Sequence, residues 1–185
     1  MMSSLKKALL VASAITLSSQ AFSATDGRLG QESRSIVDVN LSVSPVVRIW
    51  GLKDFSFSTP ADMQQDLLEE KAFCIYSNTR SGDYTLVASV EGKKDFVLTG
   101  QRSTPGNNDD IPYFIGFKGA DDEYRDLYIG ELYGSNVGKK NPSPTMECNN
   151  GIANANLKVL IPADHYIQAK EGEYSQTVTL TVTPN

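Results

Sequence analysis

Few residues in this chain have the types and spacing that catalysis requires. The sequence contains one histidine, His165, and two cysteines, Cys74 and Cys148. Acid–base or nucleophilic catalysis needs a base held beside its partner, and phosphate chemistry needs a glycine-rich loop leading into a helix. The chain has neither pattern, and we interpret His165 as a surface-loop residue. The sequence therefore predicts a protein that is not an enzyme and needs no cofactor.

Two acidic clusters are the other candidates for chemistry, namely Asp109 with Asp110 and the run from Asp121 through Asp122 to Glu123. A dedicated calcium loop adds a glycine and a distal glutamate at fixed spacing, which both clusters lack. A zinc site would need more cysteines and histidines than the chain has. We therefore expect no metal site and interpret both clusters as solvated loops.

The aromatic residues offer a possible binding surface. Flat rings with a polar edge suit sugars or protein partners, but they also fill β-sandwich cores. We expect Trp50 to be a core residue, and the sequence leaves the role of the tyrosines between residues 119 and 145 open. The tyrosines considered are Tyr113, Tyr124, Tyr128, Tyr133 and Tyr166.

The amino-terminal residues predict export. Lys6 and Lys7 precede an apolar run over residues 8–17, and residues 18–24 are mostly small or polar. That order is typical of a secretory signal peptide, and the apolar run is shorter than the roughly 20 residues that span a bilayer. We assign residues 1–23 to the signal peptide, with cleavage within 21–24. The whole sequence has a formal net charge of −5, which argues against nucleic acid as a partner.

The two cysteines predict one disulfide. An even number of cysteines in an exported chain is usually paired, because the compartment is oxidising. A bridge between Cys74 and Cys148 closes a loop of about 75 residues and stabilises the fold by about 4 kcal/mol on the chain-entropy model.

The elements that must position all these residues are strands. Short runs alternate apolar and polar side chains and are separated by turn residues, with no strong amphipathic helix. Residues 75–79 and 84–90 flank the turn residues 80–83 and predict a hairpin, whereas residues 60–72 suit either a helical turn or an extended connection. The pattern predicts one all-β domain with an antiparallel, immunoglobulin-like β-sandwich.

The two ends of the mature chain have the clearest alternation. One face of the amino-terminal alternating segment (residues 37–43) has four apolar side chains: Val37, Val39, Leu41 and Val43. The last strand has three: Val178, Leu180 and Val182. The alternating segment could be the first strand of its own domain. It also has the spacing that donor-strand exchange requires, in which a segment of one chain completes the sheet of its neighbour. Because such a head-to-tail contact does not close, it generates a linear fibre.

Three stretches resemble chaperone-usher pilus subunits. The start, SIVDVNLSVSPVV at residues 35–47, is similar to the donor segment of alpha-type colonisation-factor fimbrial subunits. The end, GEYSQTVTLTV at residues 172–182, resembles the last strand of pilins, including archaic pilins with a spore-coat-U-type domain. The middle, CIYSNT at residues 74–79 followed by Tyr84-Thr85-Leu86, is similar to archaic-type subunits.

This resemblance implies a sandwich that lacks its final strand and is completed by donor-strand exchange. It implies a flexible leader and donor strand at residues 24–45 and a pilin domain at 46–185. The partners it implies are identical or related pilin subunits, a periplasmic chaperone and an outer-membrane usher. The alternating segment would be the donor, and Val178, Leu180 and Val182 would border the acceptor groove.

A chain of this kind would be exported through the periplasm to a cell-surface fimbrium that supports adhesion or biofilm formation. The alternative is a monomeric, secreted β-sandwich that binds carbohydrate or a surface, with the alternating segment paired inside its own sheet.

Overall fold

The computed structural model describes residues 25–100, 110–119, 123–137, 148 and 151–185. The chain divides into two compact units, Met1–Val43 and Ser44–Asn185. The expected signal peptide at residues 1–23 lies outside the described residues. Within the described part of the chain, no helix is long and apolar enough to cross a membrane.

The described part of the second unit is built from strands and one short helix, because its apolar side chains recur mainly with period two. The elements are β1 (Val47–Trp50), β2 (Leu67–Ser77), β3 (Asp83–Ser89), β4 (Val97–Gly100), β5 (Ile111–Pro112), β6 (Phe114–Lys118), β7 (Tyr124–Asp126), β8 (Leu132–Asn136), β9 (Ala155–Ile161), α1 (Ala163–Tyr166), β10 (Tyr174–Ser175) and β11 (Thr179–Pro184).

The strands form one five-stranded sheet and two three-stranded sheets. The large sheet has the order β1-β2-β9-β6-β7, and the small sheets have the orders β11-β3-β8 and β10-β4-β5. Every pairing between these strands is antiparallel. The prediction of an all-β, antiparallel sandwich is therefore confirmed.

The core lies between the large sheet and the small sheets. Strand β9 buries every second residue on one side, and β3 does the same on the other side, as expected for strands with one face in the core. The buried residues of these two strands are Ala155, Leu157, Val159 and Ile161 on β9, and Tyr84, Leu86 and Ala88 on β3.

The prediction of a hairpin between residues 75–79 and 84–90 is wrong. Strand β2 pairs with β1 and β9, and β3 pairs with β11 and β8, so the two strands belong to different sheets. The turn closes with a bond from Gly82 N to Thr79 O, and the Ser77 hydroxyl donates to Asp83 O at 3.1 Å. Both edges of β2 already have partners, so the turn carries the chain across to the opposite sheet.

The sequence left open whether residues 60–72 form a helical turn or an extended connection. The structure shows that the second half of this segment is extended. Strand β2 begins at Leu67, whose partner on β9 is Ile161. Before it, Met63 has φ of +50° and donates its N–H to Pro60 O in a turn. Pairing with β9 therefore determines the conformation here, and the helix-tolerant residues form no helix.

Candidate binding groove

A groove of about 1010 Å³ opens into the core of the second unit. Two mostly exposed stretches, residues 52–59 and residues 172–178, form its rims. Its floor is apolar and consists of side chains that belong to the core or pack against it. The floor residues are Leu67, Leu98, Ile111, Tyr113, Ile115, Leu157, Val159, Ile161 and Tyr166. Most of these floor side chains are buried, and Leu67 and Leu98 are partly exposed, so the groove is lined by the core itself.

The first rim follows directly after β1. Gly51 has a φ of +82°, a backbone conformation that residues other than glycine rarely adopt. The pairing of β1 with β2 ends just before this glycine, at Trp50. Residues 52–59 belong to no strand. The rings of Phe55 and Phe57 stack at 6.5 Å, and Lys71 Nζ lies 5.3 Å from the Phe55 ring centroid. Side-chain packing, without a hydrogen-bonded ladder, therefore holds this rim against β2.

The second rim contains β10 and leads into β11. Within the described residues, β10 pairs only with β4, and β11 pairs only with β3, so each strand has an unpaired edge. Unpaired strand edges present rows of free N–H and C=O groups that can pair with another strand. The second rim, which contains β10, can therefore form main-chain hydrogen bonds with an added strand.

Gln176 connects the second rim to the floor. Its Oε1 atom accepts hydrogen bonds from Val97 N at 3.1 Å and from the Tyr113 hydroxyl at 2.7 Å. Burial raises the pKa of Tyr113 to about 12, so this hydroxyl remains a donor even at a pH at which an ordinary tyrosine ionises. The contact holds the rim in place. It was not apparent from the sequence, because its partners lie 63 and 79 residues away.

The predicted groove-edge residues are found in two places. Val178 and Leu180 line the groove. Val182 does not line it, but packs against the core opposite Leu86 of β3.

The alternating segment lies in the first unit and belongs to none of the described strands. Its four apolar side chains are between 70% and 90% exposed: Val37, Val39, Leu41 and Val43. Just before it, Thr25 and Ile36 exchange two backbone hydrogen bonds of 3.2 Å. The segment thus presents an apolar row to solvent, and this exposure could not be read from the alternation.

Cys74 and Cys148 form a disulfide with their Cα atoms 5.9 Å apart. Neither cysteine lines the groove. Trp50 pairs with Cys74 in the β1–β2 register, and its side chain is buried but lies outside the main core cluster. The bridge therefore supports the sandwich and takes no part in the groove surface.

His165 lies in α1 and not in a surface loop, which corrects the sequence interpretation. Its Nδ1 atom is 2.8 Å from the Pro112 carbonyl, and its ring is 5.8 Å from the ring of Phe114. Among the described residues, no three metal-ligating side chains cluster. Of the acidic clusters, Asp110 and Glu123 are described, whereas Asp109, Asp121 and Asp122 lie outside the described residues.

The tyrosines that the sequence left open have different environments. The Tyr133 ring packs edge-on against Phe117 at 5.1 Å. The Tyr124 ring lies under two ammonium groups, 4.5 Å from Lys158 Nζ and 5.1 Å from Lys118 Nζ. Tyr128 is exposed. Tyr113 and Tyr166 belong to the core and to the groove floor.

No family model and no curated protein sequence matches this chain. Among solved structures, the chain is similar to one from a study described as "Chaperone-tip adhesin complex is vital for synergistic activation of CFA/I fimbriae biogenesis". The identity is 12%, the TM-score is 0.47, and the alignment covers 75% of this chain. It covers 41% of that chain, so the protein spans about two-fifths of its length. The functional proposal therefore rests on the protein's own groove and exposed segment.

Proposed function

We propose that this protein is a structural, non-catalytic subunit of a bacterial surface fimbria, assembled by the chaperone-usher route through donor-strand exchange. One observation carries the proposal. The second unit has a groove with an apolar floor of core side chains between two rims, and the first unit of the same chain has an exposed row of alternating apolar side chains. Each feature is the chemical complement of the other.

The alternating segment and the two rims contain similar numbers of residues. An extended strand advances about 3.3 Å per residue, so the seven residues of the alternating segment span about 23 Å. The rims contain eight residues (52–59) and seven residues (172–178). A strand laid between them would form main-chain hydrogen bonds with the second rim and direct every second side chain to the floor.

Burial of the alternating segment supplies the driving force. Each buried valine or leucine side chain stabilises by about 1.5–3 kcal/mol, so four such side chains contribute about 6–12 kcal/mol before ordering costs. Insertion also covers Leu67 and Leu98, the partly exposed side chains of the floor.

Fibre formation follows from the geometry of this contact. The donor and the acceptor are different surfaces, so each subunit can donate to one neighbour and accept from another, and the contact does not close. In the periplasm a chaperone would cover the groove before assembly, and an outer-membrane usher would order the exchange. Adhesion or biofilm formation is then a property of the completed fibre at the cell surface.

The competing function is a monomeric, secreted β-sandwich that binds carbohydrate or a surface. That function requires the alternating segment to complete its own sheet. The oligomeric state of the mature chain separates the two functions.

A charge placed in the alternating segment tests the proposal. We expect the mature chain to elute as polymers in size-exclusion chromatography and Leu41→Asp to elute as monomers. Burial of an unpaired carboxylate costs several kcal/mol, and the leucine contribution is also lost. The neighbouring substitution Asn40→Asp adds the same charge on the opposite face of the segment, and it should leave the polymers intact.

Two outcomes would contradict the proposal. The first is polymerisation of Leu41→Asp to the same extent as the parent chain. The second is a parent chain that is already a stable monomer. Circular dichroism of the variants checks that the sandwich is folded in each case.

A further inference from the structure

The side chain of Asn78 pairs with the backbone on both sides of Pro45. Its Oδ1 atom accepts from Val46 N at 2.7 Å, and its Nδ2 atom donates to Ser44 O at 2.9 Å. The backbone N–H of Asn78 also donates to Val46 O at 3.2 Å. One residue therefore makes three hydrogen bonds with residues 44–46, all within the second unit.

These bonds extend the sheet beyond its last main-chain pair. The β1–β2 ladder ends with Val47 opposite Ser77, and after Asn78 the chain turns away at residues 79–82. Pro45 has no N–H and cannot continue a ladder by itself. An asparagine side chain has one carbonyl oxygen and one N–H-bearing nitrogen, as a peptide unit does. Here these side-chain atoms supply the hydrogen bonds that the main chain of β2 no longer supplies after it turns away.

The orientation of the Asn78 amide is fixed by its partners. The Val46 N–H can only donate, and the Ser44 carbonyl can only accept. A flipped amide would therefore lose both bonds. This requirement separates asparagine from aspartate, which has the same shape but cannot donate to Ser44 O when ionised.

We propose that Asn78 is a positioning residue that anchors the base of the donor segment and confines bending between neighbouring subunits to the Val43–Ser44 link. The inference rests on the proposed function, because Val43 is the last apolar residue of the alternating segment. In a fibre, Val43 would be held in the neighbour's groove, and the Ser44 carbonyl is held by Asn78. Only the backbone torsions at this link then remain free, and the fibre is stiff.

Two variants and one control test the anchor. Asn78→Ala removes both side-chain bonds, and Asn78→Asp keeps the acceptor but places an oxygen against Ser44 O. Asn185→Asp makes the same chemical change at the exposed carboxyl end. The first measurement is the hydrogen-exchange rate of the Val46 amide by NMR, in the full mature chain with residues 35–45 appended after Asn185. The second is the persistence length of fibres in electron micrographs.

We expect Val46 exchange to be roughly tenfold faster in Asn78→Ala, which corresponds to the loss of about one hydrogen bond. We expect the fibre persistence length to be roughly halved in both variants and unchanged in Asn185→Asp, because the hinge lengthens from one link to several residues. Unchanged Val46 exchange, or unchanged stiffness in fibres of Asn78→Ala, would overturn the anchor. A wild-type chain that forms no fibres would instead overturn the proposed function.

Discussion

Appending residues 35–45 to Asn185 of the Leu41→Asp chain through a flexible linker should produce a monomer that melts about 10–20 °C above Leu41→Asp itself. The appended strand fills a groove that is empty in that monomer, and it buries four apolar side chains for a net gain of about 5 kcal/mol. A tethered strand also has an effective concentration in the millimolar range, which favours insertion over exchange with other chains. The measurements are size-exclusion chromatography and thermal melting followed by circular dichroism.

The matched control for this experiment is the same fusion with Asp in place of leucine at the appended copy of Leu41. It has the same length and linker, but it should gain little or no thermal stability, because a carboxylate would have to be buried on the apolar floor. The donor-strand proposal fails if the unsubstituted mature chain is a stable monomer and neither fusion melts above Leu41→Asp. The secreted binding module would then be the better account of this protein.

Loss of the disulfide should lower the free energy of unfolding by about 4 kcal/mol, since 74 residues of sequence separate the two cysteines in the unfolded chain. We expect this loss in the double variant Cys74→Ser with Cys148→Ser, prepared in the monomeric fusion so that assembly does not affect the result. Guanidinium unfolding can be followed through Trp50, the only tryptophan, which pairs with Cys74 in the β1–β2 register.

Reduction of the unsubstituted fusion provides the control for the serine variant. The side chain of Cys74 is fully buried, so a polar hydroxyl at this position adds a cost of its own. If chain entropy dominates, the reduced protein and the double variant should have similar unfolding midpoints. A reduced protein with the midpoint of the oxidised form would show that the bridge contributes no stability, contrary to this prediction.

The sequence by itself determined the class of fold. Alternation with period two follows directly from strands with one buried face, and the residues of β9, β3 and β11 display it in the sequence alone. The alternating segment and the cysteine pair are also apparent there, because an apolar row and an even number of cysteines are local or compositional properties. These features were sufficient to predict an antiparallel sandwich with an unusual amino-terminal strand.

Only the tertiary structure decided how the strands are paired and where the groove opens. The turn after Ser77 indicated a reversal of direction, but it did not specify that β3 joins the opposite sheet. The rim at residues 52–59, the Gln176 contact and the Asn78 anchor all depend on partners far away in sequence. The physical reason is that periodicity reports which face of a strand is buried, whereas pairing depends on the edges that remain free once the core has formed.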